Sequence, residues 1–127
     1  MKNIIQVFTL LLFMGAICPT AKSDTFIRYI LCQNNVNKIE VVPQGNQYSL
    51  HIALTGSATE DFLRLTRDNL GKTLNIEFED VLVSCAVIDA PIKSGYILSI
   101  PATEEEANKL MKRILNGHNK TPCGKVK

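Results

Sequence analysis

Residues 62–80 read FLRLTRDNLGKTLNIEFED, and the change of period inside this stretch decides the fold. Phe62, Leu65, Thr66 and Asn69 recur at three- and four-residue intervals, widened by Leu63 and Leu70, which is the spacing of one helix face. Gly71 stands where a helix ends best on a residue without a Cβ, in left-handed backbone. From Thr73 the period falls to two: Leu74, Ile76 and Phe78 face one way, Asn75 and Glu77 the other, as in a half-buried strand. Just upstream, Ser57-Ala58-Thr59-Glu60 has capping-box spacing, and Glu60 and Asp61 place negative charge at the positive end of the helix dipole. These signals predict a helix over 58–69 followed directly by a strand.

Reading outward, Thr25 to Cys32 (TFIRYILC) is rich in β-branched and aromatic residues and stops at Gln33-Asn34-Asn35, a strand and turn pattern. Lys38 to Val42 alternates and ends at Pro43-Gln44-Gly45-Asn46. Tyr48 to Leu54 puts Tyr48, Leu50, Ile52 and Leu54 on one face and Ser49, His51 and Ala53 on the other, and the Gly45-Asn46 turn makes the two segments a hairpin. Downstream, Glu79-Asp80 turns the chain into Val81–Ile88, apolar on both faces and therefore expected in a covered position. Tyr96 to Ile100 is a further strand, ended by Pro101. Thr103 with Glu106 repeats the capping box, and Ala107, Leu110, Met111, Ile114 and Leu115 form a helical stripe, with Lys109, Lys112 and Arg113 toward the negative end and Gly117 as a stop. The predicted class is α+β, a two-layer sandwich in which a mainly antiparallel sheet of five or six strands carries two helices on one face.

The chain has 127 residues, room for one domain. Its start, Met1-Lys2-Asn3 followed by an apolar run from Ile4 to Ile17 and then Pro19, has the layout of a secretory signal peptide over 1–23, and the run falls short of the roughly 20 residues a permanent bilayer helix needs. Ala21 and Ser23 fit cleavage before Asp24, and cleavage before Lys22 fits nearly as well. Bulky Ile17 before Cys18 disfavours a lipidated cysteine. The expected organisation is leader 1–23, domain 24–117 and polar tail 118–127, the domain being delivered outside the cytoplasm. The formal net charge is +2, and the excess lysines, Lys2 and Lys22, belong to the leader. No clustered basic face remains to suggest nucleic acid, and no basic amphipathic helix to suggest a membrane surface.

Cys32, Cys85 and Cys123 are spaced too widely for a CxxC motif. In an oxidising compartment one disulfide is expected, stabilising by about 3 to 4 kcal/mol. Cys32 with Cys85 is the favoured pair, since both sit in strand-like segments, while buried free thiols are the alternative.

Candidate chemistry is sparse. His51 and His118 are separated by most of the chain, His51 on the polar face of its strand and His118 beyond a helix stop, so neither suggests a metal ligand or base. Ser57 has a cap to make, and Ser84 and Cys85 lie in an apolar strand without a nucleophile elbow. Glu104-Glu105-Glu106 fills a first helical turn, where carboxylates suit the dipole. Asn119-Lys120-Thr121 matches a glycosylation pattern but is followed by Pro122. No catalytic residue, cofactor or metal is expected, and the chain is read as a non-enzyme.

One family resemblance runs through roughly half of the chain. Phe62, Thr66, Asn69, Gly71 and Leu74 around the first helix end, Val87, Ile88, Pro91, Ile92 and Gly95 around the next connection, and Glu106-Ala107 in the second helix occur in the order found in the head of the first periplasmic domain of SecD, the membrane subunit that assists protein export in bacteria. The chain is similar to that head alone, exported free. Two departures stand out: Glu79-Asp80 replaces the Asp-Gly usual at the strand turn, and Ala86, after Cys85, replaces a proline. The resemblance implies a periplasmic module that binds protein or peptide through a sheet edge or exposed helix ends, accessory to export. It points to Arg64, Arg67 and Asn69 as partner contacts, although Thr66 and Asn69 also suit backbone hydrogen bonds and Gly71 a left-handed angle. An inhibitor or immunity-type protein aimed at one exported toxin or enzyme is the alternative.

Overall fold

The computed structural model describes residues 26–79, 81–117 and 123–126. The expected leader, Asp80, His118 and the Asn119-Lys120-Thr121 pattern lie outside the described residues. In chain order the elements are β1 (Phe26–Ile30), a 3-10 turn (Gln33–Asn35), β2 (Val36–Gln44), β3 (Gln47–Leu54), α1 (Gly56–Arg67), β4 (Thr73–Phe78), β5 (Val81–Val87), β6 (Tyr96–Leu98), α2 (Glu104–Asn116) and β7 (Gly124–Val126).

The architecture is the expected α+β sandwich, with the strands split between a four-stranded sheet, β5-β4-β1-β7, and a three-stranded sheet, β2-β3-β6. Among the described residues, only β1 and β4 pair in parallel; the other strand pairs are antiparallel. Both sheets and both helices feed one core that joins Tyr29, Leu50, Ile52, Leu74, Ile76 and Phe78 to Phe62 and Leu65 of α1 and Ala107 and Ile114 of α2. Tyr29 meets Phe62 edge to face at 5.0 Å.

The single sheet expected from the sequence is thus two. β6 lies next to β5, yet among the described residues the hydrogen bonds between the two are Ile100 N–H donating to Val83 O (2.8 Å) and Ser84 Oγ donating to Leu98 O (3.0 Å). A bulge where Ile76 and Glu77 face Ser84 and Leu82 interrupts the β4–β5 ladder. Bulges bend and twist a strand, which turns β5 away from β6.

The connection between β5 and β6 is fastened to α1. Thr66, fully buried, donates to Phe62 O and Leu63 O and accepts from Ile92 N–H at 2.9 Å. Asn69 donates its amide to Leu65 O at 2.8 Å. Gly71 N–H donates to Ile88 O, and Ile88 N–H to Lys72 O. Gly95, at φ +73°, lies so close to Thr59 that a Cβ there would collide with its side chain.

Several local details differ from the sequence reading. Thr55, two residues before Ser57, caps α1 by accepting from Ala58 N–H, so the helix begins at Gly56 and ends at Arg67. Thr55 has the extended backbone that an N-cap needs, and Ser57 lies inside the first turn. At the β4–β5 turn Glu79 carries a positive φ of 53°. Part of the expected polar tail is structured, because Gly124–Val126 adds to β1.

Replacing Thr66 by valine keeps the shape but leaves Ile92 N–H without its acceptor, and should cost about 1 to 3 kcal/mol in urea unfolding. Ser49 Oγ, buried opposite Val42, has no hydrogen-bond partner among the described residues. Ser49→Ala is therefore expected to raise stability by about 1 kcal/mol in the same assay.

Candidate functional site

The residues singled out in the sequence separate into structural groups. Asn69 donates its side-chain amide to Leu65 O and is only 7% exposed. Arg64 and Arg67 are exposed on α1, where Arg64 pairs with Asp61 and Arg67 with Asp68 at 3.4 Å. His51 is half-buried against the Tyr96 ring, with centroids 4.9 Å apart. No group of three or more metal-ligating side chains occurs among the described residues.

The cysteine pairing expected from the sequence is corrected: Cys32 is bonded to Cys123, with Cα atoms 5.8 Å apart, and not to Cys85. The strand order gives the reason. Cys32 follows β1, whereas Cys85 lies on β5 with β4 between them. Two strand spacings come to about 9.5 Å, beyond the roughly 7 Å that a disulfide spans. β7 runs beside β1 with Gly124 opposite Ile30, which brings Cys123 to Cys32. Cys85 is also disulfide-bonded.

Ionisation follows structure. Burial pushes the Tyr29 hydroxyl up to about 12, and its oxygen accepts from Asn35 Nδ2 at 3.3 Å. The Glu106 carboxyl is held below its ordinary 4.5 by hydrogen bonds from Thr103, first its N–H and then its hydroxyl. This reciprocal cap starts α2 as the sequence predicted.

The site that emerges lies where the two sheets part. Leu54 N–H donates to Gly95 O and Ser99 N–H to Leu50 O, so residues 95, 97 and 99 turn their main chain toward β3. Tyr96 and Leu98 therefore turn theirs toward β5. Among the described residues, neither Tyr96 C=O nor Leu98 N–H meets a partner there. The same two residues carry exposed side chains, at 57% and 47%. Beneath them a crevice of about 170 Å³ reaches Phe62, Ile76 and Ile92. A larger groove of about 570 Å³ runs between α2 and the start of β5, with Leu50, Val83, Ile100 and Leu110 in its lining and Lys109 and Arg113 on α2.

Sequence reasoning passed over Tyr96 and Leu98 as ordinary strand residues. The available signal was that YIL is apolar at consecutive positions, so one face of a short strand had to be left exposed unless another layer covered it.

The family model described as "SecDF, P1 head subdomain" matches residues 25–118. The chain belongs to the SecDF P1 head family. Two solved structures share the SecDF-head fold. One, described as "Structure and function of a membrane component SecDF that enhances protein export", is 21% identical with a TM-score of 0.61, over 73% of this chain and 43% of that one. The other, "Crystal structure of SecDF in Super-membrane-facing form", is 21% identical with a TM-score of 0.60, over 73% of this chain and 13% of that one. The chain thus spans less than half the length of either. No curated protein matches. Among the described residues no helix is long and apolar enough to cross a membrane.

The Glu106 cap makes a pH prediction. A carboxyl with a lowered folded-state pKa stabilises fully above its ordinary value and loses that contribution as pH falls through the lower folded value. The start of α2 should hold at pH 6 and fray below about pH 4.5, measured as a lower amide protection factor at Glu106 and Ala107 relative to the intrinsic rate at each pH. Thr103→Ala should make exchange there fast at both pH values.

Proposed function

We propose that this SecDF-head-like domain is a periplasmic, non-enzymatic module that binds extended polypeptide and serves protein export as an accessory. The observation that carries the reading is the open edge of β6. Main-chain groups of Tyr96 and Leu98 stand without partners beside two exposed apolar side chains, above a crevice lined by core residues. Strand addition uses these features: ladder hydrogen bonds supply affinity for any sequence, and a neighbouring apolar surface favours chains that have not yet buried their own.

Membership of a family whose solved representatives are described as enhancing protein export supports the setting. The chemistry at the remaining polar residues favours binding over catalysis. Glu106 is committed to a helix cap, Thr66 and Asn69 to helix carbonyls, and His51 to an aromatic contact.

The test is binding of a reduced, carboxymethylated exported protein, kept unfolded, to the full chain. Leu98→Asp and Tyr96→Ser, both exposed, should leave stability within about 0.5 kcal/mol and weaken binding about tenfold or more. Arg64→Ala with Arg67→Ala should leave affinity nearly unchanged. Undiminished binding by the β6 variants, with loss in the arginine variant, would move the site to α1 and overturn the proposal.

A further inference from the structure

We infer that the Cys32–Cys123 disulfide is a thiol-operated latch on β7, and that opening it uncovers the β1 edge of the four-stranded sheet. The argument begins with the brevity of β7. Three residues pair with β1, Gly124 with Ile30, Lys125 with Tyr29 and Val126 with Arg28. So short a ladder gains little against the entropy of ordering its backbone, and a covalent tie at its start raises its local concentration beside β1. The tie sits at that position: Cys123 immediately precedes Gly124 and is bonded to Cys32, two residues beyond Ile30.

The two sulfurs differ in access. Cys32 is buried at 3% exposure, within the turn where its N–H donates to Asn35 Oδ1, while Cys123 is exposed. A dithiol reductant would therefore attack Sγ of Cys123 and expel Cys32 as the thiolate. Its second thiol then displaces Cys123 and closes the reductant's own disulfide. Two electrons pass to the protein, and the two thiol protons end on Cys32 and Cys123.

The rest of the sheet keeps its own bonds when this one opens. Leu31 N–H donates to Glu77 O at 2.7 Å, which turns residues 29 and 31 toward β4 and residues 28 and 30 toward β7. Arg28 also holds Glu77 through an ion pair at 2.9 Å. β1 thus stays in the sheet through β4 when β7 leaves, and Tyr29 stays packed on Phe62. What is lost is the cover over Arg28 and Ile30 N–H and over the hollow of about 290 Å³ that Cys123 and Gly124 share with Tyr29, Asn35 and Asp61.

The experiment is residue-resolved amide exchange on the full chain with and without dithiothreitol, repeated on Cys123→Ser without reductant. Reduction should speed exchange at Arg28 and Ile30 about tenfold or more beyond the acceleration that lost loop closure brings to Tyr29, Leu31 and Ile52, and Cys123→Ser should reproduce that pattern. The variant also separates this disulfide from the one at Cys85, which reduction affects as well. Unchanged exchange at Arg28 and Ile30 in Cys123→Ser would show that the ladder alone retains β7. Equal acceleration at Ile52, Arg28 and Ile30 would show that β7 leaves only when the whole domain unfolds. Either result overturns the latch.

Discussion

The hydroxyl of Thr66 accepting from Ile92 N–H is the interaction on which the rest of this structure depends. It fastens the end of α1 to the connection between β5 and β6, in a fully buried position where the same hydroxyl donates back into its own helix. With Gly71 N–H on Ile88 O and Gly95 against Thr59, it fixes where the chain leaves one sheet and enters the other. β6 is thereby delivered to β3, with which it pairs from His51 to Ala53, and its other edge is held off β5. A seam between two sheets, in place of one continuous sheet, is the consequence.

This arrangement gives the family pattern a physical meaning. Phe62, Thr66, Asn69, Gly71, Ile88, Ile92 and Gly95 are far apart in sequence but all belong to the joint between α1 and the β5–β6 connection. Phe62 and Ile92 pack, Thr66 and Asn69 bond main chain, and Gly71 and Gly95 take positive φ values of 87° and 73°. The joint itself is structural. Its functional product is the neighbouring edge, which no pattern residue occupies except through its position.

Much of the fold was legible because helix and strand periods are local properties. The stripe of Phe62, Leu65 and Thr66, the alternation of Leu74, Ile76 and Phe78, and the Thr103–Glu106 box all appear in the structure as read. What escaped depended on non-local geometry. Strand order alone decides that Cys32 meets Cys123, and β7 exists because β1 offers an edge, since Gly-Lys-Val has no strand signal of its own. The cap moved to Thr55 because the chain's exit from β3, not the spacing to Glu60, sets where the helix begins. The β6 edge was hidden for a related reason: Tyr96 and Leu98 read as strand, and only the bulge in β5 tells that their outward side goes unpaired.

The most direct test of the open seam is the contrast between two adjacent amides. Ile97 N–H turns to Ile52 of β3 while Leu98 N–H turns to the seam. Hydrogen exchange resolved by residue should find Ile97 protected with the core and Leu98 exchanging at least about a hundredfold faster. Equal protection of the two would mean that β5 and β6 are joined in one ladder and that no edge is offered.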